Sequence, residues 1–286
     1  MISNELEEFV MKLTFLGTAA AECMPALFCN CEYCKEARKL GGKNIRTRTQ
    51  TLVNNDLLID LPPDTYFHFL TNGIEGDLIK NLLVTHSHGD HLYAGDLEMR
   101  HSPFAHEMRE KTLGAYGGAG VIRKIEQIPS YKNVILHPIE AYQPTKVGDY
   151  TVTALLARHM EDPAEQPYIY IVQATDATLL YAHDTGYFYE EVLDYIEKEK
   201  LYFDCISFDC TNVALPSSDK GGHMGIENIV RLNKRLETIG ASDAKTIKVI
   251  NHFSHNGNPL HHLLEEKVRD YGWLVAYDGM KTDFSH

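Results

Sequence analysis

The hexapeptide His86-Ser87-His88-Gly89-Asp90-His91 constrains this chain more than any other feature. It directly follows Asn81-Leu82-Leu83-Val84-Thr85, a short apolar run of the kind that forms a buried strand. Three imidazoles and a carboxylate therefore sit together at a strand's C-terminal end. Their spacing does not fit one face of a helix. It suits a turn entering a helix, with two side chains aimed one way and two the other, a split that serves two neighbouring cations. Neutral imidazole is a good zinc ligand, and a carboxylate oxygen admits harder ions such as manganese. The bland alternative, a polar loop of solvated histidines, fits a lone histidine far better than this cluster. The chain has 15 histidines, and their clustering strengthens the case.

The 286 residues, 44% hydrophobic, are enough to bury a substantial core in a single domain spanning 1–286. Residues 1–10 read as a short extra arm. Met11 to Leu16 reads as a strand ending at Gly17, and Thr51 to Ile59 as a hairpin turning at Asn54-Asn55-Asp56. Further strands are expected at 133–136, 150–156, 168–173, 178–182, 203–208 and 245–251. Amphipathic helices are expected at 187–200, 225–239 and 260–271. Strands come first and a helix–strand alternation follows, which predicts an α/β (α+β) chain folded as a four-layer αββα sandwich. The stretch 101–131, with its glycines from Gly114 to Gly120, fits no element of this pattern and reads as a lid or an insertion.

Cys29, Cys31 and Cys34 crowd into a second hexapeptide, Cys29-Asn30-Cys31-Glu32-Tyr33-Cys34. Three thiolates at that spacing can close on one ion and leave a fourth tetrahedral position open. No further cysteine follows at a suitable distance, so a remote histidine is expected to complete the site. His255 is the choice; His261 and His262 read better as a solvated helix start. Such grouping suits a metal clip in a reducing compartment rather than a disulfide framework, and the protein is expected to be cytoplasmic. No run approaches the roughly 18–20 apolar residues that span a bilayer. The net charge of −13 argues against nucleic acid and against anionic lipid as partners.

The metal hexapeptide, with Thr85 before it, resembles the H-x-H-x-D-H signature of the metallo-β-lactamase superfamily. That resemblance implies an αββα sandwich, a dinuclear site and three further ligands in order: a His after a mid-chain strand, an Asp after a later one and a His near the end. His159 after Leu155-Leu156-Ala157-Arg158, Asp184 in Ala182-His183-Asp184-Thr185-Gly186, and His252 after Val249-Ile250-Asn251 answer to them. By the family's arrangement His86, His88 and His159 bind one metal, Asp90, His91 and His252 the other, and Asp184 bridges the two. His183 is expected to point to the opposite side of its strand. The cysteine cluster, followed by Ala37-Arg38, is similar to the phosphodiesterase subgroup of the carbon–phosphorus lyase pathway and to an accessory protein of pyrroloquinoline quinone synthesis. The first of these implies a structural zinc beside the dinuclear pair.

The chain departs from the family where the strand before the metal motif often ends in D-x-G. Here it reads Asp60-Leu61-Pro62-Pro63-Asp64. Asp60 is still a candidate for orienting a metal ligand. His223, in Gly221-Gly222-His223, matches only the rough position of a histidine that the subgroup uses to contact phosphate or protonate the leaving oxygen. The resemblance therefore implies a hydrolase holding two divalent ions (Zn or Mn) plus one structural Zn. Asp90 and His223 are its candidate catalytic groups, and a small or cyclic phosphodiester is the expected substrate. A lactone, thioester or other ester is the alternative on the same scaffold. Processing of transfer RNA is disfavoured by the acidic charge, since Arg46 and Arg48 are too few to form a basic patch and read as braces for the cysteine loop or a substrate phosphate. A non-catalytic accessory role and a homodimer remain open at this level.

Overall fold

The layers follow from strand alternation. In Tyr168–Gln173 the side chains of Tyr168, Tyr170 and Val172 enter one buried cluster, and those of Ile169 and Ile171 another. A strand buried on both faces needs cover on both. The computed structural model, which describes residues 10–160, 162 and 164–286, supplies that cover as two seven-stranded sheets with helices outside. The proposed arm at 1–10 lies almost wholly outside the described residues.

The first sheet contains β1 (Met11–Gly17), β2 (Gln50–Val53), β3 (Leu57–Ile59), β4 (Asn81–Leu83), β5 (Leu113–Gly117) and β6 (Val134–Pro138), in that spatial order. The second contains β7 (Pro144–Val147), β8 (Tyr150–Leu156), β9 (Tyr168–Gln173), β10 (Thr178–Ala182), β11 (Cys205–Asp209), β12 (Ile247–Asn251) and β13 (Leu274–Val275), also in order. The last strand, β14 (Met280–Phe284), returns to the first sheet and pairs antiparallel with β1. Leu13, Phe15, Val53 and Leu57 meet Val152, Tyr170, Leu179 and Val249 between the sheets. Outside the second sheet, α4 (Glu190–Lys198), α5 (Ile226–Thr238) and α6 (His261–Val268) bury Val192, Ile196, Leu232, Leu236 and Leu264 against it. Outside the first, α3 (Ala119–Glu126) buries Val121 and Ile125 beside Leu82, Leu113 and Ala115, and α2 (Thr65–Asn72) adds Phe69. This is the αββα sandwich.

The stretch 101–131 is corrected here. Leu113–Gly117 is an interior strand, parallel to both neighbours, and Ala119–Glu126 is its crossover helix. Its glycines hid the strand: Gly114 and Gly117 break the apolar alternation that marks strands, yet Ala115 and Leu113 are fully packed. The segment before Leu113 and the turn after Glu126 are the loop parts of the stretch. Helix α2 and strands β7, β13 and β14 are also unassigned by sequence, being short or lacking a clean apolar period.

Strands β3 to β6 run parallel, as do β10 to β13. Parallel strands deliver their carboxyl ends to one edge, where ligands of α/β sheets ordinarily bind. Among the described residues no helix is long and apolar enough to cross a membrane.

Candidate metal centre

Every candidate ligand of the His/Asp set leaves the end of a strand. His86 follows β4, His159 follows β8, Asp184 follows β10 and His252 follows β12. Donor atoms of His86, His88, His159 and Asp184 all lie within 4.8 Å of one another, and so do those of Asp90, His91, Asp184 and His252. Asp184 belongs to both groups, and to a third with Asp209, His223 and His252. Its Oδ2 lies 3.2 Å from His86 Nε2 and 3.1 Å from His91 Nε2, while its Oδ1 lies 3.2 Å from His159 Nδ1.

Three residues of the site hold strained backbone. Asp60, Asp184 and His252 all adopt positive φ, at 67°, 54° and 61°. Non-glycine residues rarely hold that conformation, and each costs roughly 1–2 kcal/mol against the extended form. At a strand end it turns the chain abruptly and aims the side chain over the sheet's edge. Asp60 makes the bend with Leu61-Pro62, and no glycine, after it. Gly186 performs a different service: a Cβ there would meet the Gly221 carbonyl oxygen at 1.8 Å, so only glycine lets the 221–223 loop close on the Asp184 turn.

A shell of fixed acceptors and donors orients the ligands. Asp60, fully buried, receives the Thr85 backbone N–H at 2.8 Å and holds His91 Nδ1 at 2.8 Å. Thr211 Oγ1 stands 2.7 Å from His252 Nδ1. Asp209, which the sequence reading missed, accepts the N–H groups of Asp184, Thr211 and Met224 at 3.0, 3.1 and 3.0 Å. It also faces His252 Nδ1 at 3.3 Å and His223 Nδ1 at 3.4 Å. Its only signal was position, the last residue of the apolar run Cys205-Ile206-Ser207-Phe208-Asp209. His223 reaches the cluster from its loop, with Nδ1 3.1 Å from Asp184 Oδ1, and keeps 32% of its side chain exposed. His183 turns away, bonding Ser207 Oγ through Nε2 at 2.7 Å, and joins neither group.

The electrostatics are those of a cation site. Burial pushes the Asp184 carboxyl up, but His252, His86 and His91 around it hold it well below the usual carboxylate range. Burial, reinforced by His91, depresses His86 to about 3, so its imidazole is neutral and free to donate a lone pair. Burial lowers His223 as well, but the carboxylates of Asp209 and Asp184 win and hold it at about 9. His252 Nε2 and Asp184 Oδ1 are shut from solvent and make no hydrogen bond. Asp184 Oδ1 lies within ion-pair range of two imidazoles yet is aligned with neither. Buried polar atoms are normally satisfied. Imidazole rings as close as 4.3 and 4.6 Å, crowded round an unsatisfied carboxylate oxygen, fit divalent cations and have no apolar rationale.

A second cluster stands apart. Sulfur atoms of Cys29, Cys31 and Cys34 and a ring nitrogen of His255 lie within 4.8 Å of one another. His255 Nδ1 is 3.7 Å from Cys31 Sγ and 3.6 Å from Cys34 Sγ. Cys31 caps helix α1 (Glu32–Leu40) by accepting the Cys34 N–H. Slight burial opposes ionisation of Cys31, but that N–H and His255 lower its thiol to about 6. Burial raises Cys34 to about 11. His261 and His262 are elsewhere: His261 is buried against Arg46 Nη2 at 3.1 Å, and His262 is exposed. Arg46 is itself a fully buried brace, donating to Thr18 Oγ1 and the Ala276 carbonyl, whereas Arg48 pairs with Asp64 at 2.9 Å.

A two-sheet sandwich with paired His/Asp clusters sharing one carboxylate defines a class, the metal-dependent hydrolases of the αββα fold. A family model described as the beta-lactamase superfamily domain matches residues 57–253, more than half of the chain, and the chain belongs to that superfamily. Similar solved structures include a diphosphatase from the PhnP family, 22% identical with a TM-score of 0.73, covering 96% of this chain and 98% of that one. Zn(2+)-bound PqqB from Methylobacterium extorquens is 19% identical with a TM-score of 0.72, over 95% of this chain and 99% of its own. Human tRNase Z, short form, is 15% identical with a TM-score of 0.60, over 95% and 98%. No curated protein matches the sequence. The protein is a metal-dependent hydrolase that binds divalent metal.

Proposed function

We propose that this chain hydrolyses a small or cyclic phosphodiester at a dinuclear site. The observation that carries the reading is the sharing of Asp184 between two complete donor groups, with His223 beside it. In this reading His86, His88 and His159 would hold one divalent ion and Asp90, His91 and His252 the other, with Asp184 available to both. When bound, such a pair acidifies water and offsets charge developing on a phosphoryl oxygen. The chain's own residues prepare the site. Asp60 holds the proton on His91 Nδ1, so that Nε2 is the donating nitrogen. Asp209 and Thr211 fix the His252 ring in the same manner.

His223 supplies the remaining requirement, a proton for the departing alkoxide. Its Nδ1 is engaged by Asp184 and Asp209, which leaves Nε2 as the atom that delivers the proton. The cysteine cluster with His255 holds a structural zinc in this reading, since a site closed by four protein donors has no position left for substrate. The PhnP-family diphosphatase among the similar structures lends support by analogy. The strongly acidic chain argues against an RNA substrate.

The test is turnover of bis-p-nitrophenyl phosphate by pure protein loaded with manganese or zinc, with metal analysis alongside. About three equivalents and a rate above background are expected. Activity only on lactones or thioesters would transfer the site to another hydrolase of the same class. His223→Gln should cut turnover about 100-fold with metal content unchanged. Loss of metal in that variant would reassign His223 as a ligand.

A further inference from the structure

Outside the metal centre, the short helical segment 94–100 that follows the metal motif covers a cavity of about 300 Å³. Leu58, Leu82, Leu97 and Leu113 make its body apolar. Two charged side chains from that segment line it as well, Asp96 and Arg100. Arg100 is under-used by the protein, and the half-buried Asp96 carboxylate has no protein partner among the described residues. Among the described residues the Arg100 guanidinium has one acceptor, the Glu110 carbonyl at 3.3 Å, and its Nε is shut from solvent without a partner. The Asp96 carboxylate makes no side-chain hydrogen bond among the described residues, and burial raises its pKa. Asp77, also on the wall, is occupied by Arg109 through two contacts of 2.7 Å.

An apolar chamber with one under-used donor and one unused acceptor is complementary to a definite kind of molecule. A free anion would face Asp96 and a free cation would face Arg100. A neutral group with a carbonyl and an N–H satisfies both. The volume suits on the order of ten to fifteen heavy atoms. We propose that this cavity binds a small uncharged molecule with an aryl or branched-alkyl body and an amide-like head, its carbonyl on Arg100 and its N–H on Asp96. The site is separate from the metal centre, and its occupancy does not depend on which ester the centre cleaves.

Two of the eight methionines, Met99 and Met108, line the cavity and serve as reporters. The experiment is ¹³C-methyl methionine NMR of the full, metal-loaded chain, titrated with indole-3-carboxamide, indole-3-carboxylate and indole. Saturable shifts confined to Met99 and Met108 are expected with the amide, which should bind at least about tenfold more tightly than the other two. Leu97→Trp, which fills the body, should abolish the response. Arg100→Leu, which keeps the chamber but removes the head's donor, should bring amide and indole to parity; it also decides the matter if the Trp variant does not fold. No shift with any probe, shifts spread over the other methionines, or tightest binding by the carboxylate would each overturn the proposal.

Discussion

Three of the four donors in the cysteine cluster come from one hexapeptide, and helix α1 begins on its central cysteine. The His/Asp cluster draws its donors from four strand ends in both sheets, and its key carboxylate lies about a hundred residues after its first histidine. Cys31 keeps its place by capping a local helix. Asp184 keeps its place because β10 pairs with β9 and β11, Asp209 grips its N–H, and its own backbone is held at positive φ. One site is thus set by short-range geometry and the other by the assembled fold. Removing a ligand should therefore damage the two regions differently. The cysteine region contributes mainly to stability, because its satellite core is small: Met24, Ala26, Cys34, Ala37 and Leu260. The His/Asp region sits on a complete double-sheet core and should tolerate loss of metal while losing activity.

The largest effect should come from Asp184→Asn. Turnover of a diester should fall by about 1000-fold or more, with both catalytic equivalents weakened in metal analysis and the thermal transition little changed. Cys31→Ser should do the reverse, releasing one zinc equivalent and lowering Tm by roughly 5–10 °C, while the remaining two equivalents stay. If Cys31→Ser emptied the His/Asp cluster instead, the two regions would not be independent. Asp209→Asn sharpens the comparison by altering the residue that anchors the Asp184 turn while leaving the two proposed ligand sets intact. It should cost about 10–100-fold in metal affinity or rate, read by chelator competition.

The smallest effect concerns the joint between the regions. Arg46 bonds His261 on the cysteine side and Thr18 on the other, and Thr18 with Thr47 holds Asp278 through contacts of 2.7, 2.7 and 2.6 Å. Burial raises the Asp278 carboxyl to about 6, above its value in an unfolded chain. A folded pKa above the unfolded one means that this group's favourable contribution is complete below about pH 4 and is lost as pH rises through about 6. The loss is on the order of 3 kcal/mol. In chemical denaturation between pH 4 and 7, Asp278→Asn should flatten the stability profile relative to the parent. A profile of unchanged slope would show that the three donors already compensate the buried charge.

Much of this was legible before any coordinates. Tyr150–Leu156 and Tyr168–Gln173 are visible as short runs rich in aromatic and β-branched residues, and helix α5 because a face that must be buried repeats at a fixed interval. The glycine-broken strand β5 was not, since its burial comes from neighbours on both sides rather than from its own pattern. His86, His88, Asp90 and His91 announce themselves by density. Asp60 was suspected from its place ahead of the motif, and its hold on His91 is visible only once β3 and β4 lie side by side. Asp209 carries no local mark at all, because an aspartate at a strand end is ordinary until three backbone N–H groups turn towards it.

The sequence by itself determined which donors exist, their chemistry, and the alternation that drives two sheets together, because those depend on residue type and short spacing. Only the tertiary structure decided that Asp184 would serve both donor groups, that His255 rather than His261 would meet the cysteines, and that 113–126 would be framework. Those outcomes depend on which strand ends share an edge, and strand pairing between distant segments is a property of the whole packed core rather than of any stretch within it.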